Sequence, residues 1–199
     1  MTAAQADHAR APSDFLEMPE GLKLDTPRLE DGGAIWRIAR DSRTLDLNSF
    51  YSYLLWCRDF ADTSVVARGA DGAPVGFITG YRRPQRPGTL LVWQVAVDQA
   101  QRGRGLAAAM LDGLTTRTAR DLGVESVETT VTPDNVPSNR LFTSYAGRHG
   151  AAVEREVLFG GELFPESGHE PEVLYRIGPV ASLVSRRPPA ADQVRADRP

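Results

Sequence analysis

Thr89-Leu90-Leu91-Val92-Trp93-Gln94-Val95-Ala96-Val97, then Gln101-Arg102-Gly103-Arg104-Gly105-Leu106-Ala107, is the stretch on which the fold turns. The first nine residues form the longest β-rich run in the chain and are apolar enough for a central strand. Glycines at 103 and 105 admit backbone conformations that other residues resist, so consecutive N–H groups can converge on an anion. The helix that follows adds its positive N-terminal end. A strand, glycine loop and helix in this order cradle a pyrophosphate. The spacing is neither that of a Walker loop nor the G-x-G-x-x-G of a dinucleotide fold.

Working outward, Gly105 to Leu122 reads as a helix whose apolar stripe is Leu106, Met110, Leu111, Leu114 and Leu122, ended by Gly123. Glu125 to Val131 alternates as a strand. Thr132-Pro133-Asp134-Asn135 turns into a helix from about Pro137 to Tyr145, with Leu141 and Phe142 expected to face inward. Upstream, Thr63–Ala67 and Val75–Tyr81 flank Asp71-Gly72 and should pair antiparallel as a hairpin. Leu22–Leu24 is a short strand, and Glu30-Asp31 suits the start of a helix running to Arg40. Asn48 or Ser49 caps a second helix rich in aromatic groups, 50–57. Strand candidates at 152–159 and 172–177 complete a mixed sheet with helices on its faces.

With 199 residues, 41% hydrophobic and 25% charged, the chain is sized for one domain, expected over 21–180 with flexible tails at 1–20 and 181–199. A net charge of −3 does not suit a nucleic-acid binder. Only Lys23 among the 23 basic residues is a lysine, a bias of composition rather than a function. No apolar run is long enough to cross a bilayer, no signal-peptide core stands at the N-terminus, and the single cysteine, Cys57, allows no intrachain disulfide. These features point to a cytoplasmic protein. His8, His149 and His169 show no ligand spacing, so no metal is expected.

Arg102-Gly103-Arg104-Gly105-Leu106-Ala107 resembles the [QR]-x-x-G-x-[GA] loop of the GCN5-related N-acetyltransferases. The resemblance implies an α/β (α+β) fold with a central mixed, mostly antiparallel sheet and helices on both faces. It also implies that acetyl-CoA is the co-substrate. Its binding would fall to Val95, Ala96 and Val97 beside the pantetheine arm, to Arg102, Gly103, Arg104, Gly105, Leu106 and Ala107 at the pyrophosphate, and to Asn135 in the following helix. One departure is visible. Many family members carry Leu-Tyr in that helix, with the tyrosine protonating the leaving thiolate, whereas here Leu141 precedes Phe142 and Tyr145 stands one turn further on.

Three more segments, Leu45–Leu55, Trp93–Val97 and Gly168–Tyr175, resemble family members that acetylate one amine of a small diamino acid. By that resemblance Asp46, Tyr51, Trp93, His169 and Glu172 line the acceptor pocket, Glu172, Tyr51 and His169 are the catalytic candidates, and the enzyme is a homodimer. The residue types suit a diamino acid, offering two carboxylates for two ammonium groups and an indole face for a cation. Other amines (a polyamine, an amino-sugar antibiotic, a protein N-terminus) and a non-catalytic acetyl-CoA sensor remain alternative readings.

Overall fold

The computed structural model describes residues 16–165, 168–180 and 183. Seven strands form one sheet in the order β1-β2-β3-β4-β5-β7-β6: β1 Lys23–Asp25, β2 Val65–Arg68, β3 Pro74–Arg82, β4 Thr89–Val97, β5 Ser126–Val131, β6 Val153–Phe159 and β7 Glu172–Ile177. Only β4 and β5 run parallel, connected through α3 (Leu106–Leu122), and every other pairing is antiparallel. This is the mixed, mostly antiparallel sheet expected. Helices α1 (Gly32–Ser42) and α2 (Phe50–Asp59) cover one face through a cluster of Ile35, Ile38, Tyr53, Cys57, Val66, Phe77 and Ala96. Helices α3 and α4 (Val136–Arg148) cover the other through Ile78, Leu90, Val92, Met110, Leu111, Leu114, Val127, Phe142 and Tyr145.

Several local readings differ in detail. Glu30 and Asp31 sit in a single 3-10 turn ahead of α1, because the Asp31 carboxylate is taken by Arg68 at 2.7 Å and by the Arg28 N–H at 2.8 Å. Ser49, not Asn48, caps α2, accepting from the Ser52 N–H. Phe142 faces the core, whereas Leu141 lies partly exposed beside a cleft. Most of the expected tails fall outside the described residues. The described parts are attached: the Leu16 N–H donates to Asp112 at 2.9 Å, Met18 packs on the larger cluster, and Leu183 is buried in it.

The feature that positions the site is an irregularity in β4. Thr79 of β3 pairs with Gln94 and Gly80 with Val92, which leaves Trp93 as the extra residue of a bulge. The insertion shifts the parity of the strand. Leu90 and Val92 before it, and Val95 and Val97 after it, all serve the α3/α4 cluster. Gly80 permits the close approach: a Cβ there would lie 2.6 Å from the Leu91 carbonyl oxygen. The parallel ladder between β4 and β5 ends at the same place, with Val92 opposite Thr129.

Asp112 holds α3, α4 and the N-terminal segment together. Its fully buried carboxylate accepts from Arg148 at 2.9 Å and from the Leu16 N–H, and lies 3.1 Å from His149 Nε2. Burial pushes the carboxyl pKa up from its ordinary 3.8, but the bonds from His149, Leu16 and Arg148 outweigh it and hold the value lower. Asp112→Ala, which strands these donors, is expected to lower unfolding free energy at neutral pH by about 3 kcal/mol in urea melts. A carboxyl whose folded pKa is depressed stabilises above its unfolded value and loses that contribution as pH falls through the folded one. The gap between wild type and variant should therefore narrow below pH ~4.

Candidate active site

Beyond Val92 and Thr129 the two parallel strands part company. β4 continues against β3, from Gln94 opposite Thr79 to Val97 opposite Gly76, while Thr130 and Val131 of β5 pair with Leu174 and Val173 of β7. At this divergence lies a cleft of about 690 Å³. Val95, Ala96 and Val97 form one wall, Arg102, Gly103, Gly105, Leu106 and Ala107 the loop end, and Asn135 with α4 the opposite wall. Nine of the ten residues expected at the co-substrate thus share one cavity.

The loop geometry suits a phosphate. Gly103 and Gly105 have φ of 75° and 77°, in the left-handed region, and space is open where a Cβ would stand. Gly105 occupies the N-cap of α3 without a side chain to cap it, so the first-turn N–H groups of Leu106, Ala107 and Ala108, all at the cleft, remain for an anion. Arg102 lies at this end with its Nε donating to the Val97 carbonyl at 3.2 Å.

Arg104 is the exception. It does not line the cleft: its guanidinium donates to Oε1 of the cleft residue Gln101 and, at 2.9 Å, to the Glu20 carbonyl, so it ties the loop to the N-terminal segment. Asn135 is present, but its side-chain oxygen caps α4 by accepting from the Ser138 N–H at 3.2 Å.

Gln101, then Ser42 at the end of α1 with Thr44 and Leu45 after it, and Pro137, Ser138, Arg140 and Leu141 from α4 complete the lining and were not singled out from sequence as co-substrate contacts. The i, i+3, i+4 spacing of Pro137, Arg140 and Leu141 was the available signal for the α4 face. Arg140 adds a second cation to the cleft.

Tyr145 does not stand in for the tyrosine absent at Phe142. It is fully buried against α3 and His149, its ring 4.5 Å from the imidazole, and burial raises its pKa. Neither Tyr145 nor Phe142 lines the cleft. Cys57 is buried in the α1/α2 cluster with its thiol pushed up to about 11 by burial, which leaves little thiolate for an acyl-cysteine intermediate.

The five acceptor candidates lie outside this cleft. Trp93, thrown outward by the bulge and 40% exposed, stacks at 4.8 Å on Trp56, which in turn lies 4.7 Å from Phe60. Tyr51, 65% exposed, opens α2, and Asp46 lies exposed in the loop before it. Glu172 is half-buried at the start of β7, beside Phe159 of β6. Since Val173 and Tyr175 serve the α3/α4 cluster, the strand pleat puts Glu172 on the opposite sheet face, the one on which Trp93 meets α2. His169 is engaged within its own loop, its ring stacked on Phe164 at 3.6 Å and its Nδ1 2.6 Å from the Glu170 carbonyl.

A sheet that splays beside a bulged strand, with a glycine loop and helix N-terminus at the far end of the gap, defines an acyl-CoA-dependent transferase fold. The acetyltransferase (GNAT) family model matches residues 33–147, and the chain belongs to that family. Among its relatives, L-2,4-diaminobutyric acid acetyltransferase of Streptomyces avermitilis is 68% identical over 91% of this chain and 99% of that one. The protein of the same name from Virgibacillus pantothenticus is 45% identical over 77% and 96% of the respective chains. Among solved structures, diaminobutyrate acetyltransferase EctA from Paenibacillus lautus, in complex with L-2,4-diaminobutyric acid and coenzyme A, has a TM-score of 0.75 at 43% identity, covering 80% of this chain and 95% of that one. Ard1 from Thermoplasma volcanium, at 22% identity and a TM-score of 0.64, shares the fold.

Proposed function

We propose that this chain transfers acetyl from acetyl-CoA to the 4-amino group of L-2,4-diaminobutyrate, giving N4-acetyl-L-2,4-diaminobutyrate for later cyclisation to ectoine. The observation that carries the reading is likeness along nearly the full length of several relatives bearing that activity in their names, at 62% to 69% identity. The splayed cleft, with its glycine loop and two arginines, supplies the matching chemistry.

An alkyl ammonium with pKa near 10 is almost wholly charged at neutral pH, so the amine must lose a proton before it attacks. Glu172 takes that proton, and Asp46 pairs with the other ammonium while Trp93 and Tyr51 wall the acceptor. His169 contributes to the same pocket from its loop. The neutral nitrogen attacks the thioester carbonyl carbon directly, a backbone N–H near Val95 stabilises the oxyanion, the C–S bond breaks, and the second proton that the nitrogen sheds in becoming an amide passes to water. CoA leaves as a thiolate of pKa near 8.5, so a dedicated acid at Phe142 is unnecessary.

The test is thiol release from acetyl-CoA over L-2,4-diaminobutyrate, ornithine, lysine, spermidine and an aminoglycoside, with the acetylated nitrogen read by NMR. Selective turnover of diaminobutyrate at the 4-amine is the expected result. Turnover of another amine instead would remove the acceptor assignment and keep the co-substrate.

The reading includes a cytoplasmic homodimer. What supports the dimer is β6, an edge strand exposed along nearly its whole length, where Val157 is 62% exposed close in sequence to Leu163 at 66%. An unpaired edge bearing apolar groups is a template for a second copy. Sedimentation equilibrium should give twice the chain mass, and Val157→Asp should reduce it to one chain mass. A wild-type monomer at all concentrations would sink the dimer.

A further inference from the structure

The buried amide of Gln94 belongs to neither set of expected site residues. It is 5% exposed in a cluster otherwise built from Tyr53, Phe77, Ala96 and the α1 aliphatics. An amide in such surroundings is costly unless its hydrogen bonds are made. Gln94 makes two, each to a distant part of the chain. Its Oε1 accepts from the Tyr53 hydroxyl at 3.2 Å, and its Nε2 donates to the main-chain carbonyl of Asp46 at 2.9 Å.

The second bond fixes the far end of a loop anchored separately at its near end. There, Ser42 Oγ donates to the Ala39 carbonyl at 2.7 Å and accepts from the Thr44 N–H at 3.3 Å, while Arg43 takes a left-handed conformation with φ 56°. Between the two anchors, Thr44 and Leu45 line the co-substrate cleft. At the Gln94 anchor stands Asp46, and Gln94 itself adjoins the bulged Trp93. One loop therefore faces both halves of the reaction; Leu45 packs on the α1/α2 cluster and Asn48 Nδ2 donates to the same Asp46 carbonyl at 3.3 Å, while the Gln94 amide is the side chain that ties that carbonyl to β4.

We infer that Gln94 is a positioning residue for acetyl transfer, holding the 43–49 loop by the Asp46 carbonyl so that the acceptor carboxylate is presented at a fixed place beside the β4 bulge. The catalytic consequence rests on the acceptor reading given above, and the structural one does not. Because the bond goes to a main-chain oxygen, it sets where the loop runs whatever side chain stands at 46.

Two near-isosteric variants test it. Gln94→Glu keeps an acceptor for Tyr53 and removes the donor to Asp46, and Gln94→Met removes both bonds without placing a charge in the core. In the free protein, backbone amides of residues 44–49 should exchange faster in both, by about tenfold, the scale of one lost buried hydrogen bond. The KM for the amine should rise by about the same factor, with acetyl-CoA affinity by titration changed less than about twofold, because the glycine loop lies on other elements. A purely structural glutamine would lower the melting temperature and leave the amine KM of the folded enzyme untouched, and that outcome overturns the inference. Unchanged exchange at 44–49, or equal weakening of both substrates, overturns it too. If Gln94→Glu fails to fold, Gln94→Met carries the test, with Tyr53→Phe expected to move the same readouts less.

Exchange is measured without any amine, so failure of diaminobutyrate as substrate leaves this arm decisive. In that event the KM arm uses whichever amine releases thiol with the wild type.

Discussion

Gly105→Val is expected to raise the KM for acetyl-CoA by about a hundredfold, a loss of about 3 kcal/mol in binding. The residue sits at φ 77° between the loop and α3, and no atom stands within 4 Å of where its Cβ would be. The cost is therefore conformational: an L-residue in the left-handed region is destabilised by about 1–2 kcal/mol, and β-branching adds to it. The loop relaxes toward negative φ, and the amides of Leu106 to Ala108 no longer converge with those of Gly103 and Gly105 on one anion. Titration with CoA and with its dephosphorylated pantetheine fragment separates the causes. CoA should lose nearly all the affinity, and the fragment little. A variant whose CoA affinity matches wild type would show that the glycine loop does not bind the pyrophosphate.

Glu172→Gln is expected to lower kcat at neutral pH by about a hundredfold, within the range typical of a lost general base. The amide keeps size and polarity at the start of β7 but cannot accept the ammonium proton. Acetyl-CoA affinity should stay as in wild type, since Glu172 does not line the co-substrate cleft. The variant should recover with rising pH, because below the amine pKa of about 10 each unit of rise in pH increases the unprotonated fraction about tenfold. A kcat unchanged at neutral pH would assign the proton elsewhere. A raised KM with unchanged kcat would recast Glu172 as a binding group alone.

What could be read without the structure follows a pattern. The Gly103–Ala107 loop, the apolar stripe of α3 and the nine-residue run of β4 all declare themselves within a few neighbouring residues. Each is a matter of local conformation or of helical and strand period; the family resemblance added Val95–Val97 and Asn135, and nine of the ten residues expected at the co-substrate line one cleft. Arg104, a basic residue in the same loop, is the one that does not line that cleft. Its guanidinium finds the Glu20 carbonyl, a partner 84 positions away.

On the acceptor side the chemistry of Asp46, Trp93 and Glu172 was visible but their arrangement was not. Trp93 is expected at the acceptor by resemblance, but nothing in the nine-residue run of β4 marks it as the odd residue. That it is the unpaired residue of a bulge depends on Gly80, which admits the Leu91 carbonyl, and on β5 leaving the ladder at Thr129. Gln94 reads as a stray polar group in the same strand, and its partners lie 41 and 48 residues upstream. Tyr145, one turn from Phe142, reads first as a packing tyrosine and second as a replacement acid, and α4 packs so that both rings enter the core.

The sequence by itself determined the glycine loop and the order of elements in a mixed sheet with helices on its faces, because those follow from backbone preferences and periodicities spanning a turn or two; the resemblance of that loop supplied the family. The tertiary structure alone decided the parity shift at Trp93, the splay that opens the cleft, the bond from Arg104 to the Glu20 carbonyl and the bond from Gln94 to the Asp46 carbonyl. Each of these depends on which distant segments share a surface, and that is settled only when the two helical layers close on the sheet.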